Sequence, residues 1–166
     1  MLLTKYYRKG KSLFWTLLTK KRCGSYKGKI KVNQKSFIGS NVHLGNNVHF
    51  NGMMISKGGN VYIGDNFHSG PECVIIVQYH NYEGEAIPYD GQYIKKDVTI
   101  EDNVWLGQGV MIMGGVTIGE GSIIQAGSVV VSNIPKYSIA GGHPAKVFKQ
   151  RDIEHYHDLK DKEKFW

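Results

Sequence analysis

The apolar positions in the second half of the chain keep a period of six. Ile100, Leu106, Ile112, Ile118, Ile124 and Val130 follow one another without a slip, and two places before each stands a small or β-branched residue: Val98, Val104, Val110, Val116, Ser122 and Ser128. This period fits neither the repeat of about 3.6 of a helix nor the simple alternation of one long strand. It predicts short strand, turn, short strand, turn. Three such units closing a triangular coil would stack residues eighteen apart, placing Ile100 beneath Ile118, Leu106 beneath Ile124 and Ile112 beneath Val130, with rungs ~4.8 Å apart. The same register runs through Ile38, Leu44 and Phe50 and resumes in Ile63, Ser69 and Ile75 after one extra residue near Gly58 and Gly59. About five coils fit between residues 30 and 135. The polar stretch from Tyr79 to Lys96 breaks the repeat and reads as an extruded loop.

A solenoid needs its end rungs covered, because an open rung offers unpaired strand edges. Leu3, Tyr6, Tyr7, Gly10, Leu13, Phe14, Leu17 and Leu18 recur at helical spacing, with Lys5, Arg8, Lys9 and Lys20 largely outside that stripe. The pattern makes residues 1–29 a basic amphipathic segment that suits two roles, a cap on the first coil or an interfacial helix on anionic lipid through residues 1–22. Residues 151–166, charged and glycine-free, predict a helical tail. Between them lies one β-helix domain, 30–150, with its loop at 79–97.

Composition sharpens this picture. Glycine takes 21 of the 166 positions against only 4 prolines, as frequent regular turns require. The net charge of +7 hides an asymmetry: residues 1–64 carry twelve Lys or Arg and no acid, while the remainder is mildly acidic. A basic third beside an acidic body points to an anionic surface or phosphorylated ligand near one end. No RNA-binding motif, zinc-finger spacing or helix-turn-helix pattern accompanies the charge, so nucleic acid is not an expected partner. Cys23 and Cys73 are isolated thiols that fit neither a disulfide framework nor a zinc site, and they suggest a reducing cytoplasm. The apolar run from Leu13 to Leu18 is broken by Thr16 and falls far short of the ~20 residues a membrane span needs. Neither a transmembrane helix nor a signal peptide is expected.

The runs Ile100-Glu-Asp-Asn-Val-Trp-Leu-Gly107, Gly115-Val-Thr-Ile-Gly-Glu-Gly-Ser122, Gln125-Ala-Gly-Ser-Val129 and Gly142-His-Pro-Ala-Lys-Val147 resemble the hexapeptide-repeat acyltransferases. The likeness covers roughly residues 36 to 150 and is greatest to the galactoside, maltose and capsular-polysaccharide O-acetyltransferase branch. It implies a left-handed parallel β-helix, a hand that the period alone does not give. It also implies a homotrimer with acetyl-CoA in the groove between adjacent subunits.

The resemblance carries residues with it. The family's catalytic histidine stands before the extruded loop, fourteen residues after an Ile-Gly-Asp-Asn segment, and Ile63-Gly-Asp-Asn66 followed by His80 reproduces that spacing. An alcohol is a poor nucleophile at neutral pH, and an imidazole near its ordinary pKa of about 6.5 suits the general base that activates it. Glu72, Glu83 and Glu85 are candidates to orient the ring. Gln108 and Ala126 match positions lining the pantetheine groove, and Lys146 and Lys149 match basic residues that meet the nucleotide phosphates. Where similar enzymes carry a Thr-Lys pair after the last valine of the coil this chain has Val131 and Ser132, and the resemblance leaves Ser132 as the cofactor-binding candidate there. The loop residues Asn81, Tyr82, Tyr89 and Tyr93 offer aromatic faces and short polar groups for a carbohydrate acceptor, lipid-linked if the N-terminal segment meets membrane. The acceptor-binding Asp of the family is missing around Lys57 to Gly59, which leaves the sugar open.

These features predict an acetyl-CoA-dependent O-acetyltransferase acting on a sugar hydroxyl in bacterial surface-polysaccharide synthesis, with no metal required. The rivals are an amino-sugar N-acetyltransferase, a metalloenzyme resembling the γ-class carbonic anhydrases, and a non-catalytic β-helix scaffold. The metal reading needs histidines that converge. His43 and His49 are six apart, a third of a coil, and so belong to different faces.

Overall fold

The computed structural model describes residues 2–166, with side chains from Tyr6 onward. Leu3 and Lys5 of the amphipathic pattern therefore lie outside the described side chains. From Ser25 the chain winds into a three-sided parallel β-solenoid. The first face holds strands Ser25–Tyr26, Val42–Leu44, Val61–Ile63, Val98–Ile100 and Thr117–Ile118. The second holds Ile30–Val32, Val48–Phe50, His68–Ser69, Trp105–Leu106, Ile123–Ile124 and Ser138–Gly142, closed by antiparallel Ala145–Gln150. The third holds Met53–Ile55, Cys73–Ile76, Met111–Met113 and Val129–Val130.

The hexad pattern sets the register. Ile100 pairs with Ile118, Leu106 with Ile124 and Ile112 with Val130, as the eighteen-residue spacing predicts. The extra residue expected near Gly58 is present, since Val42 pairs with Val61 and Leu44 with Ile63, nineteen apart. That single residue is the net of two changes: Phe37 pairs with Met54 only seventeen apart, so the turn at Gly52 is one residue short, while Met53 pairs with Cys73 and Ile55 with Ile75, twenty apart, because two residues are added around Gly58 and Gly59. The ladder also starts earlier than residue 30, because Ser25 pairs with His43 and Tyr26 with Leu44. That strand has no apolar hexad, and both of its residues are exposed.

Inward-pointing residues alternate with outward ones along each short strand, so all six residues of the leading hexad series, Ile100 to Val130, are buried. Where serine replaces an aliphatic residue in the core its hydroxyl can be satisfied locally: Ser122 Oγ donates to the Pro135 carbonyl at 2.8 Å and Ser128 Oγ to that of Gln125 at 2.7 Å. The corner between the first and second faces turns through left-handed asparagines, Asn47, Asn66 and Asn103, with φ of 58°, 55° and 61°. Asparagine tolerates that region better than other side chains. Their amides form a ladder, Asn47 donating to Asn66 and Asn66 to Asn103, both at 2.9 Å. Asn103 passes the chain on to Tyr156 Oη at 2.7 Å, which docks helix α2 (Ile153–Asp161) on this corner.

Helix α1 (Leu2–Arg22) covers the first coil, but not with the predicted stripe. Tyr6, Tyr7, Leu13, Phe14 and Leu17 are all exposed. The opposite face packs instead, with Thr19 buried and Trp15 against the core. The reason is chemical: the edge of a solenoid is a row of backbone donors and acceptors. Val32 N–H donates to Thr16 Oγ1 at 2.9 Å, and Ser12 Oγ donates to Asn33 Oδ1 at 3.2 Å. A hydroxyl-bearing helix face satisfies that edge where an aliphatic one would strand it.

Candidate active site

His80 leaves the coil at the corner where the third face gives way to the first. Strand Gln78–His80 forms an antiparallel ribbon with Tyr93–Lys95, so the base of the extruded loop is itself a β-hairpin and Tyr93 is the cross-strand partner of His80. Rungs bracketing the loop show its size: Ile75 pairs with Ile112, thirty-seven apart rather than eighteen. The His80 ring stacks on Tyr89 with centroids 3.8 Å apart and planes 16° from parallel, and its centroid is 4.4 Å from that of Tyr93. Its Nδ1 is buried and has no hydrogen-bond partner.

The loop residues fall into two groups. Asn81 ties the loop shut, its amide donating to Asp90 Oδ2 at 2.9 Å while Asp90 N–H donates to the Asn81 carbonyl at 3.0 Å. Tyr82 is exposed at the tip and stacks loosely with Tyr79 at 6.3 Å. Tyr89 and Tyr93 each present one side to His80 yet remain about half exposed, at 46% and 51%. The sequence marks them only as acceptor contacts; the stacking of Tyr89 on His80 depends on how a twelve-residue tip folds back, which carries no sequence signature.

The residues matched to coenzyme binding gather at another corner, between the second and third faces. Gln108 lies one rung below Ala126, where Gly127 N–H donates to the Gln108 carbonyl at 2.7 Å. The coils here are stacked so closely that a Cβ on Gly107 would sit 2.5 Å from the Ala126 nitrogen. The result is a flat edge of exposed backbone. Above it, the hairpin Ser138–Gly142 and Ala145–Gln150 holds Lys146 and Lys149, both exposed, and the His143 imidazole donates to the Gly127 carbonyl. Glu72, a candidate to orient His80, belongs to this corner instead and accepts from Gln108 Nε2 at 3.2 Å. Glu83 and Glu85 are exposed on the loop. Ser132 follows strand Val129–Val130 and so stands on the His80 corner, away from Gln108 and Ala126.

His43 and His49 lie on different faces, as their spacing requires. His49 pairs instead with His68 on the next rung, nineteen residues on, their rings 4.3 Å apart beneath Trp166. Burial, with the charges of His68 and Lys31, pushes His49 down to about 4, and burial also lowers His68. Among the described residues no three His, Cys, Asp or Glu side chains are placed to share a metal ion.

Residues 97–132 match the family described as bacterial transferase hexapeptide (six repeats). The chain is 37% identical over 122 residues to the galactoside O-acetyltransferase of Escherichia coli K12, covering 71% of this chain and 60% of that one. It superposes on a maltose O-acetyltransferase from Clostridium difficile 630 with a TM-score of 0.69 at 31% identity, covering 92% and 89% of the two chains. It superposes on a galactoside acetyltransferase solved in complex with coenzyme A with a TM-score of 0.66 at 27% identity, covering 84% and 71%. The chain spans between half and two thirds of the length of the galactoside O-acetyltransferases it matches. It belongs to the hexapeptide-repeat acyltransferase family, and its coil is the left-handed parallel β-helix of that family.

Proposed function

We propose that the chain is an acetyl-CoA-dependent O-acetyltransferase that works as a cytoplasmic homotrimer on a sugar hydroxyl, in bacterial surface-polysaccharide synthesis. One observation carries the reading: the candidate base and the candidate coenzyme edge stand at opposite ends of the third face. A six-residue side of the coil separates them by roughly 15–20 Å. A single chain therefore does not unite them, and a neighbouring copy must bring its Gln108 and Ala126 edge to His80. The third face suits such a neighbour. Its outward residues Phe37, Met54, Val74, Met111 and Val129 form one apolar ladder through successive rungs, with Phe37 and Met54 about half exposed. Contiguous apolar surface of this kind marks an interface.

In this proposal acetyl-CoA lies along the flat edge with its phosphates toward Lys146 and Lys149, and Tyr82 and the loop tip meet the carbohydrate. With Nδ1 of His80 closed off, Nε2 is the nitrogen that takes the acceptor proton. The acceptor oxygen bonds to the thioester carbonyl carbon, the carbon–sulfur bond breaks, and the proton passes from His80 to the departing thiolate. General base catalysis supplies about 10²- to 10⁴-fold, and the rest comes from orientation and oxyanion donors.

Subunit mixing tests both halves of the reading. His80→Ala and Ala126→Trp trimers should each lose transfer, measured as free thiol release with a sugar acceptor, and should regain part of it when the two chains are co-assembled. Full activity in His80→Ala would refute the base, and inactive parents that never complement would refute a shared site.

A further inference from the structure

We propose that helix α1 lays the first end of the solenoid against an anionic lipid surface. The inference is independent of the transfer chemistry and rests on how the two sides of one helix are used. At about 100° per residue, Ser12, Trp15, Thr16 and Thr19 share one side, and Tyr6, Tyr7, Leu13, Phe14 and Leu17 share the opposite side. The first side is consumed by the coil edge through Trp15 packing and the Thr16 and Ser12 hydrogen bonds. The second faces outward, with exposures of 58% to 71% for its five large side chains. Gly10, in the middle of that side, has nothing within 4 Å of where its Cβ would be, and every residue from Tyr6 to Lys11 is exposed.

Charge identifies the occupant. Helix α1 contains Lys5, Arg8, Lys9, Lys11, Lys20, Lys21 and Arg22 and no acid. Lys27, Lys29, Lys31 and Lys35 of the first coil are exposed at the same end, and the first acidic residue of the chain is Asp65. A protein partner or a second copy docking there would bury an apolar stripe rimmed by like charges. Anionic headgroups neutralise the rim while the acyl boundary takes the stripe, and tyrosines are at home at that depth. No helix of the described residues is long and apolar enough to cross a membrane, which agrees with a helix lying in the surface plane. Because α1 covers the terminal rung, the prism would stand upright on the membrane, with its later coils, including the His80 loop, reaching away from the surface.

The test is flotation of the full chain with phosphatidylcholine vesicles containing or lacking phosphatidylglycerol, at low and high salt. Wild type should float only with the anionic vesicles, and should float less as salt rises. The variant Leu13→Ser/Phe14→Ser/Leu17→Ser should bind about tenfold more weakly, with an unchanged melting temperature and an unchanged rate of thiol release. A charge variant, Lys9→Gln/Lys11→Gln/Lys20→Gln/Lys21→Gln, should lose the preference for anionic vesicles and provides a second reading should the serine variant fold poorly. Wild type that stays with the soluble fraction at low salt overturns the proposal. So does a serine variant that floats normally, or one whose only change is a smaller assembly in sedimentation, because the stripe would then be covered by another copy of the chain.

Discussion

The imidazole of His80 lies nearly parallel to the phenol ring of Tyr89, their centroids 3.8 Å apart. The unpartnered Nδ1 means that no side chain fixes the His80 ring by a hydrogen bond in the usual way, so its orientation depends on stacking. Tyr89 is therefore read as a positioning residue. Tyr89→Ala should lower kcat about fivefold, the cost of a stacking contact worth roughly 1 kcal/mol. KM for acetyl-CoA should not move, and Tyr89→Phe should restore the rate. Steady-state thiol release at saturating acceptor checks this; a change confined to the acceptor KM would make Tyr89 an acceptor contact instead.

Lys146 and Lys149 extend from the hairpin that closes the second face, above the flat edge of Gln108 and Ala126. Both are exposed, so each phosphate contact would be solvent-screened and worth about 1 kcal/mol or less. Lys146→Ala and Lys149→Ala should each raise KM for acetyl-CoA about threefold to fivefold at low salt, and less at high salt, with kcat preserved. The same series run against the acceptor should show no change.

What the sequence disclosed, and what it hid, divides along physical lines. The hexad register was plain from Val98 to Val130 because buried and exposed positions alternate on every short strand there. The short turn at Gly52 is invisible in the sequence because the two residues added around Gly58 and Gly59 leave a net excess of one, and the hexads resume undisturbed through Ile63, Ser69 and Ile75. The helical spacing of α1 was read correctly, but its apolar stripe does not cap the coil. A solenoid end is a polar edge, and Ser12 and Thr16 outcompete Leu13 and Leu17 for it. At the site, His80 came from spacing within a family, as did Gln108 and Ala126. The separation of His80 from those two across the third face required the coil to be drawn in three dimensions, and the contact with Tyr89 required the folded loop.

His49 and His68 make stability sensitive to acid. His49 is held at about 4 in the fold, first by burial and then by the charges of His68 and Lys31, against about 6.5 when unfolded. Between those values the unfolded chain binds more protons, so the contribution is complete above pH 6.5 and is lost as pH falls through about 4. The ring is only half-buried, so the ~3 kcal/mol implied by the full shift reduces to about 1 kcal/mol after screening. The melting temperature should drop between pH 7 and pH 4, and His49→Asn should flatten part of that drop. Trp166, packed against both rings, should report the change in its fluorescence. An identical pH profile in wild type and His49→Asn would remove the histidine pair from the account.

Gly121 occupies the rung above Asn103 on the asparagine corner, at a φ of 69°, and it is there that α2 is seated. A Cβ at this position would lie 2.9 Å from Tyr156 Cε2 and 3.0 Å from Tyr137 Cδ1, two rings with little room to turn. Tyr156 cannot retreat freely, because its hydroxyl accepts from Asn103 and donates to Glu120 Oε1 at 3.1 Å. Burial alone would raise the Glu120 pKa, but hydrogen bonds from Lys160 and Tyr156 and the charges of Lys160 and Lys136 outweigh it and hold the carboxylate ionised. Gly127 is the matched control, with almost the same φ of 70° and nothing within 4 Å of its Cβ position. Gly127→Ala should therefore cost only the left-handed backbone penalty, about 1 kcal/mol. Gly121→Ala should cost that and a displaced helix, about 2–3 kcal/mol together. Urea unfolding gives both differences, and hydrogen exchange should show the α2 amides opening faster in Gly121→Ala alone. Equal losses in the two variants would mean that Tyr156 does not anchor the helix.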